Sequence, residues 1–294
     1  MGEGGEPWTV LRLLNWTKDY FAGKGVDAPR LAAEVLLAHV LGCPRIELYA
    51  RFNQEPDEAK RTAFRQLVKR AAEHEPVAYL VGAKEFYSLR FAVRPGVLVP
   101  RPETEILVAE TLDHLQRCGA SDGPPRVWDV CTGSGCVAVA VAHECGQSLV
   151  LATDTAPAAL EVAEDNAEAH GVASRVRVRE ADLLALPADC ADMPPFDVIV
   201  SNPPYVAEGD EVGPETAHEP PEALYAAAGG LAALEAIIRG APPLLAPGGV
   251  LIVEFGRGQA DAVHERLEAT GAFEPARFLR DHQNIDRAAV AVKA

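Results

Sequence analysis

The chain is organised around one segment, Phe196-Asp197-Val198-Ile199-Val200-Ser201-Asn202-Pro203-Pro204-Tyr205. Apolar residues fill four of its first six positions, β-branched valine and isoleucine among them, which predicts a central strand covered on both faces. Pro203 and Pro204 have fixed φ and donate no backbone hydrogen bond, so the carbonyl groups of the turn are free to accept from another molecule. We expect the Asn202 side-chain oxygen and the Pro203 carbonyl to bind a planar NH2 group, with the Tyr205 ring over its flat face.

Such a turn solves a chemical problem. The nitrogen of an amide or exocyclic amine is a poor nucleophile, because its lone pair is delocalised. Holding both hydrogens from one side aims the nitrogen at an electrophile on the other side. The Asn-Pro-Pro-Tyr run resembles the signature of glutamine and adenine-amine methyltransferases, which use S-adenosylmethionine. On this interpretation Asn202, Pro203 and Tyr205 are candidate catalytic residues, and Pro204 joins them in the acceptor site. The alternative is an ordinary turn in which the prolines only stop the strand.

Composition predicts a globular protein. A chain of 294 residues with 48% hydrophobic residues can bury a full core, and its length fits one large domain or two smaller ones. We find no signal peptide and no apolar run of about 18 residues, the length of a membrane span, which predicts a soluble, cytoplasmic protein. The net charge of −16 disfavours binding through many neutralised phosphates. We therefore expect a protein substrate, no direct contact with nucleic acid or membrane, and a monomer.

The cysteines form no C-x-x-C pair. This pattern indicates reduced thiols in a cytosolic protein and gives no metal site. The six residues are Cys43, Cys118, Cys131, Cys136, Cys145 and Cys190.

The first part of the chain is predicted to be helical. Apolar spacing and helix-start and helix-stop residues predict helices over Trp8–Phe21, from Pro29 to Gly42, over Ile46–Tyr49 and over Glu58–His74. These helices predict an N-terminal helical domain over residues 1–82.

A β-hairpin is predicted over residues 83–99. Glu85–Val93 alternates with a period near two, Arg94-Pro95-Gly96 supplies a turn, and Val97–Val99 returns. We expect this hairpin to link the helical domain to a second domain over residues 100–294.

Pro102 lies where a helix begins, and Glu103 and Glu105 favour the positive end of that helix dipole. Arg101 and Thr104 are polar groups at the predicted domain junction, a common position for ligand contacts, so both are candidate cofactor-binding residues. The alternative is a helix start and nothing more.

From Arg126 onward strands and helices alternate, which predicts a doubly wound α/β sheet. The strand Val127–Val130 leads into the glycine loop, whose glycines let a ligand approach the backbone at a helix N-terminus. The next strand ends at Asp154, 19 residues after Gly135, an offset at which an acid accepts both hydroxyls of an adenosine ribose. The loop reads Cys131-Thr132-Gly133-Ser134-Gly135-Cys136, and its first five residues are predicted to bind a cofactor.

The same loop and acid also fit a nicotinamide dinucleotide site. Asp129 favours S-adenosylmethionine over a nicotinamide dinucleotide, since a carboxylate before the loop would face the positively charged methionine end of that cofactor rather than a pyrophosphate. No Ser/His or Tyr/Lys hydride-transfer pair stands beside it. In methyltransferases of this architecture the loop after the third strand borders the adenine, so Asp182 is a candidate for the adenine amine and Leu183 for the ring. Asp182 fits equally well as the N-cap of a short turn.

The remaining residues complete the predicted sheet. Residues 206–222 are rich in Glu, Gly and Pro and are predicted to form a mobile flap anchored by His218-Glu219-Pro220. The later elements are a helix over Gly230–Leu245, a strand over Gly249–Phe255, a helix over Gln259–Thr270, and a closing antiparallel hairpin of Arg277–Leu279 with Ala288–Val292.

These motifs together resemble those of the peptide-chain release factor glutamine methyltransferase family, and the resemblance covers essentially the whole chain. It implies a class I methyltransferase fold, an α/β doubly wound seven-stranded sheet with a small N-terminal helical domain joined by a β-hairpin. The residues that carry it are Glu75–Gly82, Phe86-Tyr87, Val99–Glu105, the glycine loop, Asn202–Tyr205 and Glu219-Pro220.

The resemblance also implies a reaction. It is methyl transfer from S-adenosylmethionine to the side-chain amide nitrogen, N5, of the glutamine in the Gly-Gly-Gln motif of class I release factors. Cofactor contacts carry over to Cys131–Gly135, Asp154, Leu183 and Asn202, acceptor contacts carry over to Asn202–Tyr205, and the N-terminal helices are implied to select the partner. One departure is Cys131, which stands where many relatives have glycine and therefore needs a backbone conformation that tolerates a side chain.

Two rival functions remain at this stage. A nucleic-acid adenine or guanine amine methyltransferase would use the same turn on a flipped base, and it predicts an electropositive cleft. A non-catalytic cofactor-binding protein is the second rival, although Asn202 and the glycine loop are both intact.

Overall fold

The computed structural model describes residues 7–118 and 123–294. Their contacts divide them into two compact units. The first contains the described residues up to Ala83 together with Gly213–His218, and the second contains the rest of the described chain.

The first unit is a small helical bundle. Its helices are α1 (Val10–Lys24), α2 (Pro29–Leu41), α3 (Glu47–Ala50), α4 (Glu58–Ala72) and α5 (Val77–Val81). The side chains of Thr9 and Asp57 accept hydrogen bonds from backbone N–H groups in the first turns of α1 and α4, which fixes where these helices begin. An apolar cluster that includes Phe21, Leu36 and Phe64 fills the bundle. The four predicted helices are present, and α5 is an additional one.

The hairpin differs from the prediction. Its strands are β1 (Ala83–Phe86) and β2 (Leu89–Ala92), so the chain reverses at Tyr87-Ser88. Tyr87 and Ser88 both have positive φ, which matches the right-handed twist of a two-residue hairpin. Arg94-Pro95-Gly96 does form a turn, in which the Val97 N–H donates to the Arg94 carbonyl at 3.2 Å, but Val97–Val99 does not return as a strand. That part of the prediction is wrong.

A seven-stranded sheet forms the centre of the second unit and confirms the predicted fold class. The strand order is β5-β4-β3-β6-β7-β9-β8, in which β3 to β7 are parallel and β9 lies between β7 and β8 and is antiparallel to both. The predicted closing hairpin is confirmed by β8 and β9. The strands are β3 (Arg126–Val130), β4 (Leu149–Asp154), β5 (Val176–Glu180), β6 (Phe196–Ser201), β7 (Leu245–Glu254), β8 (Arg277–Arg280) and β9 (Asp286–Val292).

Helices cover both faces of the sheet. On one face α6, α7 and α8 pack against alternate strand residues such as Val198 and Val200, and on the other face α10 and α11 pack against Ile199 and its neighbours. This explains why β6 is apolar on both sides. The helices are α6 (Glu105–Cys118), α7 (Cys136–Glu144), α8 (Pro157–Ala169), α9 (Ala227–Gly230), α10 (Ala232–Gly240) and α11 (Ala260–Thr270).

The helix predicted over Gly230–Leu245 is too long. Within this range the α-helix is α10, Ala232–Gly240, which gives way at its C-terminal end to a 3-10 turn over Pro242–Leu244, while Gly230 is only the last residue of the short α9, which contains left-handed residues. Pro242 and Pro243 cannot supply backbone N–H groups, so the α-helical hydrogen bonds stop there.

Within residues 7–118 and 123–294, no helix is long and apolar enough to cross a membrane. The same residues contain no group of three His, Cys, Asp or Glu side chains arranged to hold a metal ion.

Candidate active site

The carboxyl ends of β3, β4 and β6 border a cavity of about 370 Å³, which lies in the range of roughly 300–1,000 Å³ of small-molecule sites. A smaller cavity beside it shares Cys131, Gly133 and Asn202 with the first. Of the predicted site residues, Cys131, Gly133, Asp154, Asp182, Leu183, Asn202 and Pro204 line the large cavity, and Arg101, Thr104, Asp129, Cys131, Thr132, Gly133, Ser134 and Asn202 line the small one. Gly135, Pro203 and Tyr205 line neither.

The glycine loop turns sharply because several of its residues take left-handed φ. Cys131 has φ 60°, Gly133 56° and Gly135 76°. The expectation that Cys131 takes a backbone conformation that tolerates a side chain is therefore wrong, since a residue with a side chain rarely takes this φ. Burial of Cys131 raises the pKa of its thiol.

The Asp129 carboxylate connects the glycine loop to α7 through hydrogen bonds. It accepts from the Thr132 hydroxyl at 2.6 Å and from the Ala138 N–H at 3.1 Å. Burial raises the pKa of Asp129 to about 7, and both hydrogen bonds oppose that rise. Its observed partners are thus groups of the loop and of α7, and its predicted contact with a cationic ligand stays a prediction.

Asp154 ends β4 at the rim of the large cavity. One carboxylate oxygen accepts from the Gly133 N–H at 2.9 Å, and the other accepts from the Ala156 N–H at 3.0 Å. A carboxylate has about four acceptor positions, so two remain for neighbouring hydroxyls. The arrangement fits the ribose of the predicted cofactor.

Asp182 and Leu183 lie on the opposite wall of this cavity. Leu183 takes a left-handed φ of 47°, and the exposed Asp182 side chain makes no hydrogen bond to any described residue. The Ala185 N–H donates to the backbone carbonyl of Asp182, so Asp182 begins a short turn, but its side chain does not cap that turn. An unpaired carboxylate beside an apolar side chain fits an adenine ring with its amine.

The turn after β6 is held by a polar network. Asn202 Nδ2 donates to the Thr104 hydroxyl at 3.0 Å, and that hydroxyl donates to Glu254 at 2.7 Å. The Tyr205 hydroxyl donates to the other Glu254 oxygen at 3.2 Å. Within the described chain, neither Asn202 Oδ1 nor the Pro203 carbonyl accepts a hydrogen bond. The turn therefore offers two adjacent free acceptors.

Known proteins share both the sequence and the fold of this chain. Family profiles described as the PrmC N-terminal domain and the methyltransferase small domain match residues 12–82 and 105–269. A release factor glutamine methyltransferase of Rhodopirellula baltica is 41% identical over 96% of this chain and 95% of its own length. One of Bordetella pertussis is 44% identical over 92% and 96%. The chain belongs to the release factor glutamine methyltransferase family.

A solved structure agrees at the level of the fold. The catalytic domain of human METTL16, in complex with MAT2A 3'UTR hairpin 6, has a TM-score of 0.57 and 15% identity, covering 75% of this chain and 80% of that one. At this identity the likeness concerns the architecture alone.

In this family member, Arg101 contacts the segment that follows the turn. Its guanidinium donates to the Glu219 carboxylate at 2.6 Å, and the Glu219 side chain is fully buried. Pro220 and Ala223, just beyond Glu219, line the large cavity. Glu219 thus fixes this segment, as the anchor prediction requires, and the mobility of residues 206–222 stays a prediction.

Two residues that form hydrogen bonds with Tyr205, Glu254 and Gln259, were not predicted from the sequence. Glu254 ends β7, and its signal in the sequence is a single acid in the apolar run Leu251–Phe255. Gln259 donates through Nε2 to the Tyr205 carbonyl at 2.9 Å and accepts from the Gly256 N–H at 2.8 Å. No local pattern singled out Gln259, because it lies at the start of an ordinary helix.

The Tyr205 ring lines neither of these two cavities. It lies against Gly256, and its hydroxyl is engaged by Glu254. Burial raises the pKa of Tyr205, so it stays a neutral donor. Its predicted packing over a bound amide remains a prediction.

Proposed function

We propose that this protein transfers a methyl group from S-adenosylmethionine to the side-chain amide nitrogen, N5, of the glutamine in the Gly-Gly-Gln motif of class I peptide-chain release factors. Membership of the release factor glutamine methyltransferase family supports the reaction and the substrate. The observation that carries the proposal is the pair of free acceptors, Asn202 Oδ1 and the Pro203 carbonyl.

Two acceptors side by side match the two hydrogens of a primary amide. Because Asn202 Nδ2 is engaged by Thr104, its Oδ1 is the atom left for the substrate. The Pro203 carbonyl is followed in its peptide unit by the Pro204 nitrogen, which carries no hydrogen, so that peptide unit presents an acceptor to the amide and no donor. Both bonds lie on one side of the amide nitrogen, which leaves its other face toward the cavity.

The cofactor is assigned to the large cavity. Asp154 would bind the ribose hydroxyls, Asp182 the adenine amine and Leu183 the adenine ring, with the glycine loop beside them. Arg101, Thr104, Asp129, Thr132 and Ser134 line the small cavity next to Asn202. When bound, S-adenosylmethionine supplies an electrophilic methyl group.

No strong base is required among the protein side chains. A methylated amide nitrogen that still carries both of its hydrogens is positively charged and acidic, and it loses one proton to water to give the neutral methylated amide. The protein's task is to hold and aim the amide, and the bonds that Asn202 and Pro203 would make to its hydrogens strengthen as the nitrogen becomes positive in the transition state.

The N-terminal helical unit is assigned to recognition of the release factor, with residues 83–99 as the link and residues 100–294 as the catalytic domain. The negative net charge of the chain supports a protein partner rather than nucleic acid. We place the reaction in the cytoplasm and assign it to a monomer.

The test is methylation with a labelled donor. Purified release factor, the same factor with its Gly-Gly-Gln glutamine replaced by alanine, and RNA and DNA of matched mass are offered in parallel. We expect label only on the unmodified factor, with mass spectrometry locating one methyl group on the glutamine. Label on nucleic acid, or label retained by the alanine factor, refutes the proposal.

The Asn202→Ala variant tests the turn itself. Removing one preorganised contact to the amide is expected to lower turnover about a hundredfold, equivalent to roughly 3 kcal/mol of transition-state stabilisation. Cofactor affinity, measured by calorimetry, is expected to stay close to wild type. A variant that methylates release factor at the wild-type rate would show that Asn202 does not hold the amide.

A further inference from the structure

Glu254 is an unusual residue for its position. It ends β7, which is otherwise apolar over Val250–Val253, and only 1% of it is exposed. Ser201 pairs with Val253, so Glu254 is level with Asn202 on the neighbouring strand. Within the described residues its carboxylate forms no salt bridge and is bound by two hydroxyl groups. Burying a carboxylate without a cation is unfavourable, so ordinary core packing does not account for it.

The hydrogen bonds around Glu254 have a fixed direction. A carboxylate only accepts, so the Thr104 hydroxyl must give it its single hydrogen. Thr104 can then only accept from Asn202, and the donor available there is Nδ2. This directs the Asn202 oxygen away from Thr104, as the acceptor role demands. The Tyr205 hydroxyl likewise donates its hydrogen to the Glu254 carboxylate.

We propose that Glu254 is a positioning residue of the acceptor site, which sets the orientation of the Asn202 carboxamide through Thr104 and holds the Tyr205 side chain. The inference rests on the proposed function. Glu254 does not touch the substrate. Its effect is to make one of the two carboxamide orientations of Asn202 the stable one, so that an amide N–H meets an oxygen rather than an NH2 group.

Protonation of Glu254 would undo this orientation. A neutral carboxyl group can itself donate to Thr104, which frees the Thr104 hydrogen for Asn202 Oδ1 and turns Nδ2 toward the substrate. Burial raises the pKa of Glu254 to about 7, and the hydroxyls of Thr104 and Tyr205 oppose the rise. The other charged or titratable groups that face it are Glu103, Arg287 and Cys136. The ionised form is the working form, so activity falls as the pH drops through about 7.

Four variants isolate this role. Glu254→Gln keeps the shape and removes the charge, and Thr104→Val removes the relaying hydroxyl. Thr104→Ser keeps the hydroxyl and is the conservative rescue. Thr111→Val is the matched control, because Thr111 is equally buried and its hydroxyl has no hydrogen-bond partner among the described residues.

We expect Glu254→Gln and Thr104→Val to lower kcat for release factor methylation by about tenfold to a hundredfold, the usual effect of removing a group that orients a site residue. KM for release factor should change little in both variants, and the calorimetric Kd for S-adenosylmethionine should change little in Glu254→Gln. The acid limb of the wild-type pH profile should disappear in Glu254→Gln. Thr104→Ser should restore most of the rate, and Thr111→Val should match wild type.

Wild-type kcat in Glu254→Gln and Thr104→Val, or an acid limb that persists in Glu254→Gln, overturns the inference and leaves the proposed function standing. If the wild-type protein does not methylate release factor, the proposed function itself fails, and the inference fails with it. Circular dichroism verifies that each variant is folded. Should Glu254→Gln not fold, the contrast among Thr104→Val, Thr104→Ser and Thr111→Val decides the question.

Discussion

Replacing Gly135 with alanine would place a methyl group between the glycine loop and α8. A Cβ atom built there lies 3.0 Å from the Ala163 Cβ and 3.1 Å from the Ala163 Cα, and Gly135 has φ +76°. Gly133 is the matched control in the same loop. It has φ +56°, but a Cβ atom there meets nothing within 4 Å.

The two substitutions share one cost and differ in another. A left-handed residue with a side chain costs roughly 1–2 kcal/mol, and this applies to both positions. Overpacking against the fixed backbone of α8 adds about 1–3 kcal/mol at Gly135 alone. We therefore expect Gly135→Ala to lower the free energy of unfolding by about 2–5 kcal/mol and Gly133→Ala by about 1–2 kcal/mol. Cofactor affinity should show the opposite order, since the Gly133 methyl group enters the cavity.

The measurement is urea unfolding followed by tryptophan fluorescence, with linear extrapolation to water. Trp8 and Trp16 are first replaced by phenylalanine in all proteins. Trp128, which is fully buried in the sheet, then reports on the second unit alone. Equal destabilisation by the two alanines would show that contact with α8 is not the reason for glycine at position 135.

Three further variants test other parts of the site. Cys131→Gly should raise the free energy of unfolding by up to about 1 kcal/mol in the same urea assay, because relief of the left-handed φ outweighs the added freedom of the unfolded chain; a less stable variant would contradict this. Asp154→Ala should weaken cofactor binding by about 1.5–3 kcal/mol, and unchanged affinity in calorimetry would exclude Asp154 from the site. Arg101→Leu removes the bond to buried Glu219 and should speed proteolytic cleavage within residues 206–222; wild-type cleavage rates would show that this bond does not restrain the segment.

The sheet could be predicted because its signals are local. Each buried strand is a short apolar run bounded by polar or turn residues, and alternation of strands with helices restricts the topology to a few parallel arrangements. The strand predicted over Val127–Val130 is β3, which has one further residue, Arg126, at its start.

The first hairpin could not be placed in this way. Tyr87-Ser88 contains neither glycine nor asparagine, the usual residues of a turn with positive φ, so its sequence gives no turn signal. The Tyr87 N–H donates to the Glu105 side chain at 2.8 Å, a contact across 18 positions of the chain. Packing of Phe86 and Phe91 into the core of the second unit fixes the register further. Tertiary contacts thus stabilise a turn that local preference disfavours.

The candidate site shows the same division between local and distant information. The two prolines explain why the Pro203 carbonyl has no backbone donor beside it, and that much can be predicted from four consecutive residues. The direction of the Asn202 carboxamide depends instead on Thr104, 98 positions away, and on Glu254, 150 positions from Thr104. The Asn-Pro-Pro-Tyr turn therefore leaves acceptors free but does not by itself fix the direction of the Asn202 carboxamide. Orientation requires a hydroxyl relay and a buried acid at the end of the adjacent strand, and only the register of β6 with β7 brings that acid level with the turn.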